Sequence, residues 1–227
     1  MQKFTILGIT LYDYGAREAL RNTDRFLGSG GLNTVAYISS AQIAQASRDE
    51  ELKESVEQLD MTLCTEPDLL EAAGIAARSR IREIDEKIYL RELLRKLYRN
   101  RNRVYLLADT QSELEMLEEL IQEYQGNLYI QGRGAYELFD RRPERLVNEL
   151  NDVVPDAVLS RMPWPADITL MKEYGQYVNA RLWVSLPYGA VSWIQNPSFL
   201  ARIRRRFHYR IFEKRVQEYN HKETGAK

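Results

Sequence analysis

Short apolar runs alternate with longer amphipathic stretches along this chain. The apolar runs predict strands at residues 4–11, 33–40, 61–64, 103–109, 127–134, 156–162 and 181–187. In most of the intervening stretches apolar residues recur every three to four positions, the pattern of a helix with one buried face. Strands that alternate with helices of ten or more residues are typical of a parallel sheet covered on both faces. We therefore predict an α/β fold with a mainly parallel sheet.

The predicted helices are residues 16–31, 41–59, 67–80, 85–101, 110–126, 142–153 and, more weakly, 168–178. Several of them contain residues that favour the start or the end of a helix. The first helix ends in glycines. A break is expected near Arg48 and Asp49 in the second, and Pro67 is favourably placed in the first turn of the third. In such a fold ligands bind outside the carboxyl ends of the strands, so the informative positions are Ser39, Thr65, Asp109, Gly132, Met162 and Pro187.

Composition narrows the function classes. Cys64 is the single cysteine, and His208 and His221 are the two histidines, which argues against a disulfide framework, a metal site and a Ser-His-Asp hydrolase. We expect no metal or other cofactor. No apolar run approaches a membrane span and the amino terminus lacks a signal-peptide pattern, so a cytoplasmic protein is expected.

A basic segment near the carboxyl terminus contrasts with an acidic remainder. Residues 199–215 carry a net charge of +6, from Arg202, Arg204, Arg205, Arg206, Arg210, Lys214 and Arg215 against Glu213, and the rest of the chain carries −7. Apolar residues recur there every four positions, which predicts an amphipathic helix. It either packs on the body or docks on an anionic membrane surface at the inner face of the cell membrane. Nucleic acid is not expected as a partner, because no nucleic-acid-binding motif is present. We place the domain at residues 1–195 and a basic helical appendage at 196–227.

The order of these pieces resembles a known family. The opening ILGITLYDYGAREAL, the middle ASRDEELKESVEQLDMTLC, the stretch from RVYLLAD to GRGAYELFD, and the late SWIQNPSFLARIRRRF together resemble the WecG/TagA/CpsF bacterial glycosyltransferases over nearly the whole chain. The resemblance implies a Rossmann-like domain that transfers an N-acetylhexosamine from a UDP-sugar to a lipid-diphosphate-linked sugar in cell-envelope polysaccharide synthesis. It also implies a basic, membrane-docking carboxyl-terminal appendage.

The chain departs from that family where its candidate catalytic base lies. After the third strand the family typically reads Pro-Asp-Gly, and its Asp is suited to accept the proton of the attacking hydroxyl. Here the positions hold Cys64, Thr65 and Glu66. A threonine hydroxyl cannot serve as a general base at neutral pH. Glu66 and Asp68 are the carboxylates that could substitute for it.

Other strand ends depart from the family as well. Tyr37-Ile38-Ser39 replaces Thr-Pro-Asn, LLAD at 106–109 replaces Leu-Leu-Gly-Gly, EIDEKI at 83–88 takes the place of Arg-x-x-Gly-x-Asp, and PWPADI at 163–168 replaces Gly-x-Pro-x-Gln-Glu. The positions on the predicted substrate side are Tyr37, Ser39, Asp109, Gly132, Trp164 and Asp167. Asp109 puts an anion where a diphosphate should lie.

Structural roles compete with each of these assignments. Cys64 reads as a small core residue, since no histidine is positioned to activate it. Thr65 and Asp109 have helix-capping potential. Trp164, between two prolines, is either a loop plug or an exposed binding aromatic, and a lone Gly-x-Gly around Gly132 is weak evidence for phosphate binding.

Two hypotheses follow from these patterns. The favoured one is a catalytically degenerate family member that acts as a binding or assembly partner, for which a protein partner is expected. The alternative is an active transferase with a relocated base that uses a UDP-sugar and a lipid-linked acceptor. A nucleotide or sugar sensor is a third reading, which requires a pocket that still binds UDP.

Overall fold

A six-stranded parallel sheet forms the centre of the molecule. The computed structural model describes residues 2–75, residues 77–187, and Val216 and Tyr219. The strands are Gln2–Ile6 (β1), Ile9–Asp13 (β2), Asn33–Ile38 (β3), Met61–Cys64 (β4), Val104–Ala108 (β5), Ile130–Ala135 (β6), Ala157–Arg161 (β7) and Leu182–Ser185 (β8). The sheet has the order β4-β3-β8-β7-β5-β6, all parallel, and β1 and β2 form a separate antiparallel pair.

Helices cover both faces of this sheet. They are Ala16–Leu27 (α1), Ser40–Ala46 (α2), Glu50–Glu57 (α3), Asp68–Ala72 (α4), Arg78–Asp85 (α5), Ile88–Arg99 (α6), Gln111–Gln125 (α7), Pro143–Val153 (α8) and Ala166–Tyr174 (α9), with single 3-10 turns at Tyr136–Phe139 and Gly175–Tyr177. The predicted α/β, Rossmann-like class is confirmed.

The alternation of side chains along each strand divides the core into two layers. In β3, Val35 and Tyr37 face the layer of α1, α6 and α7, whereas Ala36 and Ile38 face the layer of α2, α3, α8, α9 and the hairpin. Because both faces are buried, the strands read as nearly continuous apolar runs rather than as alternating ones. That is why periodicity along the chain predicts these strands so directly.

The predicted first strand, residues 4–11, is wrong as a single element. The chain reverses at Leu7 and Gly8, whose φ angles are +52° and +75°, and β1 and β2 pair as a hairpin from Gln2–Asp13 to Ile6–Ile9. Two consecutive residues with positive φ are the signature of a two-residue hairpin turn. The hairpin therefore covers one layer of the core and does not extend the parallel sheet.

The predicted helix at 67–80 is wrong as a single element too. α4 ends at Ala72, and Gly74 has a φ of +69°, a conformation that ends a helix and that glycine adopts at little cost. α5 then starts at Arg78. The break expected near Arg48 and Asp49 is confirmed, since the Asp49 side chain caps α3 by accepting from Leu52 N at 3.1 Å.

Two residues of the carboxyl-terminal segment pack on the body. Val216 and Tyr219 are half-buried against the hairpin-side layer of the core. The basic residues between 202 and 215 lie outside the described residues, so membrane docking and the domain boundary at residue 195 stay predictions. No helix in the described ranges is both long and apolar enough to span a bilayer.

Gly132 packs closely against the neighbouring strand, with no room for a side chain. It lies within β6 opposite Tyr105, not at a strand end as predicted, and a Cβ there would lie 2.6 Å from the ring of Tyr105. Because Tyr105 is fully buried, the ring has little room to move. Gly132→Ala should therefore lower the free energy of unfolding by about 1–3 kcal/mol, measured by urea denaturation.

The control for this substitution is Gly30→Ala. An added Cβ at Gly30 meets nothing within 4 Å, so the change should stay within about 0.5 kcal/mol. Equal effects of the two substitutions would contradict the packing role assigned to Gly132.

Candidate functional site

The predicted site residues lie at different strand ends. Ser39 and Thr65 follow the neighbouring strands β3 and β4, and Thr65 N donates to Ile38 O at 3.0 Å, so these two ends are joined. Asp109 follows β5, which is three strand positions from β3. At about 4.8 Å per position this is roughly 14 Å. The structure thus brings Ser39 and Thr65 together and leaves Asp109 apart.

Glu66 is held by the start of α2. Its Oε1 accepts from Ser40 N and from Ser40 Oγ, both at 3.2 Å. Ser39 is also committed there, because its hydroxyl accepts from Gln42 N while the Gln42 side chain accepts from Ser39 N, a capping box. The side chains of Ser39 and Glu66 therefore both secure the amino terminus of α2.

Arg80 organises an ion-pair cluster beside the end of β4. Its Nη2 donates to Asp13 Oδ1 and to Tyr14 O, each at 2.7 Å, and its Nε donates to Asp13 at 3.1 Å. Its Nη1 pairs with Glu83, whose Oε2 also accepts from Ala16 N at 3.0 Å. The cluster fastens α5 to the segment between β2 and α1.

This cluster leaves little open space next to Cys64. The cavity, bordered by Tyr14, Tyr37, Cys64, Arg80, Glu83 and Lys87, is partly open to solvent and measures about 30 Å³, enough for about one water molecule. Lys87 Nζ, at its border, donates to Thr65 O at 2.8 Å.

Neither Cys64 nor Tyr37 is an ionised nucleophile here. Burial, together with the nearby negative charge of Asp13, raises the pKa of the Cys64 thiol to about 12. Burial also raises the pKa of Tyr37 well above its ordinary value, and its ring lies 6.3 Å from that of Tyr89. Cys64 is half-buried and packs against the hairpin-side layer of the core, and Tyr37 belongs to the layer of α1, α6 and α7.

Asp109 is paired with a cation. Its two carboxylate oxygens accept from the guanidinium of Arg141, and its side chain is 13% exposed. The capping predicted around Asp109 comes from the next residue, since Thr110 Oγ1 accepts from Glu113 N at 3.3 Å. Asp109 therefore ties the end of β5 to the 3-10 turn after β6.

Asp167 lies in a buried polar chain below β7 and β8. The indole N–H of Trp183 donates to Ser160 Oγ at 2.8 Å, and Ser160 Oγ donates to Asp167 Oδ2 at 2.7 Å. Asp167 is 2% exposed. Burial raises its pKa to about 6, although hydrogen bonds from Ser185, Ser160 and Trp183 act in the opposite direction.

Trp164 is a plug rather than an exposed platform. It precedes Pro165 through a cis peptide bond and packs half-buried against the hairpin-side layer. Its indole N–H is buried and donates to no described residue.

The sequence comparison identifies the family. The chain matches the glycosyl transferase WecG/TagA/CpsF family over residues 4–211, and it belongs to that family. This makes the class a glycosyltransferase of cell-envelope polysaccharide synthesis, with a UDP-sugar and a lipid-linked acceptor as the implied substrates. A search of curated proteins gave no match.

Sequence reasoning missed Arg80. The residues Arg80-Ile81-Arg82-Glu83-Ile84-Asp85 fit the family spacing Arg-x-x-Gly-x-Asp at its first and last positions, three residues before the stretch 83–88. In that second register the arginine of the family pattern is Arg80. Its partner Asp13 is 67 residues away along the chain and could not be inferred from spacing.

Arg80 should contribute more to stability than its exposed neighbours. Arg80→Gln leaves Asp13 and Glu83 partly buried without their cation, and we expect a loss of about 2–3 kcal/mol of unfolding free energy, less than for a fully buried pair because the side chains are partly exposed. The control is Arg82→Gln on the same helix, which breaks only an exposed pair with Glu86 and should lower the free energy of unfolding by at most about 0.5 kcal/mol. Chemical denaturation of the two variants measures both losses. A similar cost for both variants would contradict the role of the cluster.

Asp167 should make stability depend on pH. Because its pKa is raised in the folded state, the folded protein binds the proton more tightly than the unfolded chain does. Below about pH 4 the buried carboxyl therefore does not lower the free energy of unfolding. The destabilisation grows as the pH rises and reaches its full value above about pH 6. That full value is on the order of 3 kcal/mol.

Asp167→Asn should remove this cost. We expect the variant to be more stable than the wild type at pH 7.5 and nearly equal to it at pH 4, as measured by denaturant unfolding at both values. Asp152→Asn, on the exposed face of α8, serves as the control and should change little at either pH. A pH-independent difference for Asp167→Asn would show that the carboxyl is not the titrating group.

Proposed function

We propose that this chain is a glycosyltransferase-family protein that has lost transfer chemistry and acts as a binding or assembly partner in cell-envelope polysaccharide synthesis. The proposal rests on the residues that follow β4 and on their hydrogen bonds. The family's candidate base position is Thr65, and the adjacent carboxylate of Glu66 is bound to Ser40 by two hydrogen bonds. A protein partner, rather than a sugar, is then the relevant ligand.

The chemistry of transfer explains why this state matters. A general base must reach the acceptor hydroxyl within hydrogen-bonding distance and must be able to take its proton. The hydroxyl of Thr65 cannot do so at neutral pH. Glu66 would have to abandon the amino terminus of α2, where it satisfies a backbone N–H that otherwise lacks a helical partner.

The available space supports the same conclusion. Small-molecule sites typically occupy roughly 300–1,000 Å³, whereas the cavity beside Cys64 is about 30 Å³. The side chains of Arg80, Glu83 and Lys87 border it and are held by one another and by Thr65. A sugar at this strand end would require the cluster around Arg80 to open.

The second candidate is an active transferase with a relocated base at Glu66 or Asp68. Asp68 is the first residue of α4, three positions after Thr65, and is 2% exposed. To act as a base it would have to become accessible to the acceptor hydroxyl. Asp167 has a pKa near neutrality, which suits a base, but it is buried and bonded to Ser160.

A turnover assay tests the proposal directly. The full-length protein is incubated with UDP-N-acetylglucosamine and a lipid-diphosphate-linked sugar, and release of UDP is followed alongside an active member of the same family. We expect no UDP release above the protein-free rate, because no group at the Thr65 position can accept the proton.

Turnover by the wild-type chain would overturn the proposal. Asp68→Asn, Glu66→Gln and Asp167→Asn then locate the base. A loss of roughly a hundredfold or more in Asp68→Asn alone would assign that role to Asp68.

A further inference from the structure

A basic groove opens beside the amino-terminal ends of β5 and β6, at the end of the sheet opposite the carboxyl ends discussed above. It has a volume of about 620 Å³ and is lined by Tyr98, Arg99, Arg101, Asn127 and Tyr129. Tyr98 and Arg99 lie in the last turn of α6, and Tyr129 directly precedes β6. Because β6 and β4 are the two outer strands of the sheet, the groove and the surroundings of Thr65 are separate regions of the molecule.

The two arginines of this groove lack an acidic partner in the described part of the chain. Both are exposed, and neither takes part in an ion pair there. Cations close to them in sequence are paired with carboxylates: Arg95 with Glu92, Lys96 with Asp24, and Arg103 with Asp156. The groove therefore presents two guanidinium groups that are available to a ligand.

The backbone at Arg101 is in a conformation that favours glycine. Its φ angle is +52°, and it directly follows Asn100, which caps the end of α6. Arg101 N donates to Tyr98 O at 3.0 Å, and Asn102 N donates to Leu97 O at 2.9 Å. Such a pair of hydrogen bonds closes a helix whose next residue is left-handed, a position that glycine usually occupies. An arginine is less favourable there than a glycine, so local stability does not account for this side chain.

Exposed aromatic rings accompany the two arginines. Tyr98 is 43% and Tyr129 is 58% exposed, although most large apolar side chains in the described ranges are buried. Tyrosine and arginine are enriched where proteins contact each other and often supply much of the binding free energy, whereas lysine is depleted there. The residues that line the groove include two tyrosines, two arginines and no lysine. The groove thus has the composition of a protein-binding surface.

We propose that this groove binds an acidic peptide segment of a partner protein. Guanidinium groups and carboxylates form paired hydrogen bonds, so Arg99 and Arg101 can each bind one acidic side chain. The rings of Tyr98 and Tyr129 can pack against an apolar side chain beside the two carboxylates. The Asn127 amide can donate to and accept from the backbone of the segment. The inference rests on the proposed function, because it specifies the kind of protein that this chain would bind.

Two other anionic partners match the groove less well. A membrane surface is broad and nearly flat, so it would meet the rim of a concave groove and not its lining. A nucleic acid is held mainly by many cations along its phosphate chain, whereas the neighbouring groove on α6, lined by Arg91 and Arg95, also contains Glu123. Two unpaired cations beside two aromatic rings match a short acidic segment.

A selection from random peptides displayed on phage tests the proposal without assuming a sequence. The full-length chain is immobilised, and the bound peptides are sequenced after repeated rounds. We expect enrichment of peptides in which at least two Asp or Glu residues lie close to an apolar or aromatic residue. One enriched peptide, synthesised with a fluorescent label, then gives the affinity by fluorescence polarisation.

Substitutions in the groove should weaken the binding of this peptide. Arg99→Ala/Arg101→Gly removes both guanidinium groups and should lower the affinity roughly tenfold or more. Because glycine suits the backbone at position 101, Arg101→Gly alone should weaken binding without lowering the urea midpoint of unfolding. Loss of affinity is thereby separated from loss of folding. Tyr98→Ala/Tyr129→Ala should lower the affinity about fivefold or more.

A matched control separates a specific site from general charge. Arg91→Ala/Arg95→Ala removes two positive charges from the same helix but from the neighbouring groove, and it should change the affinity by less than about twofold. Equal weakening by the two arginine pairs would overturn the proposal. So would a selection that yields no acidic peptides, or peptide binding that Arg99→Ala/Arg101→Gly leaves intact.

The two other classes of partner are tested with the same variant. Flotation with vesicles that contain phosphatidylglycerol and titration with a single-stranded oligonucleotide are carried out on the wild type and on Arg99→Ala/Arg101→Gly. We expect neither assay to depend on the two arginines. A vesicle or oligonucleotide that binds more tightly than the selected peptide, and that no longer binds this variant, would overturn the proposal in favour of that partner.

These outcomes are distinct from those of the turnover assay. UDP release in that assay would overturn the loss of transfer chemistry at the β4 end but would not affect peptide binding at the groove. A failed peptide selection would overturn the acidic partner and would leave the result of the turnover assay unchanged.

Discussion

The guanidinium of Arg80 holds together the segments that surround the end of β4. It contacts Asp13 at the end of β2, the carbonyl of Tyr14, and Glu83 one turn further along α5. Because Glu83 in turn accepts from the first backbone N–H of α1, the position of that helix depends on the same cation. The small cavity beside Cys64 is bordered by this cluster and by Lys87. Ligands in such a fold generally bind at the carboxyl ends of the strands, and the cluster lies beside one of those ends.

The carboxylates near the strand ends have structural partners. Glu66 holds α2, Asp109 holds the turn after β6 through Arg141, and Asp167 holds β7 through Ser160. Each joins two elements of secondary structure. These three carboxylates therefore stabilise the scaffold by linking its elements.

Much of the fold could be predicted from the sequence, because strands buried on both faces are continuous apolar runs bounded by polar residues. The predicted elements were wrong at two places, where the backbone conformation of one or two residues sets the path of the chain. The positive φ angles of Leu7 and Gly8 turn one apparent strand into a hairpin, and Gly74 divides one apparent helix within an alanine-rich stretch that favours helix throughout. The site was harder to predict, since its central contact joins Arg80 to Asp13 across 67 residues. The resemblance placed Thr65 correctly at the end of β4 but gave no indication that Glu66 was bound to Ser40.

The bond between Glu66 and Ser40 also limits how such a chain could change over evolutionary time. An aspartate at position 65 would place a second carboxylate directly beside Glu66, and like charges this close oppose each other's ionisation. Relief would require one of the two carboxyls to take up a proton, and in Glu66 this would weaken the charge-assisted hydrogen bonds that it accepts from Ser40. The residue at position 65 and the start of α2 are therefore not independent of each other, because both depend on the charge of Glu66.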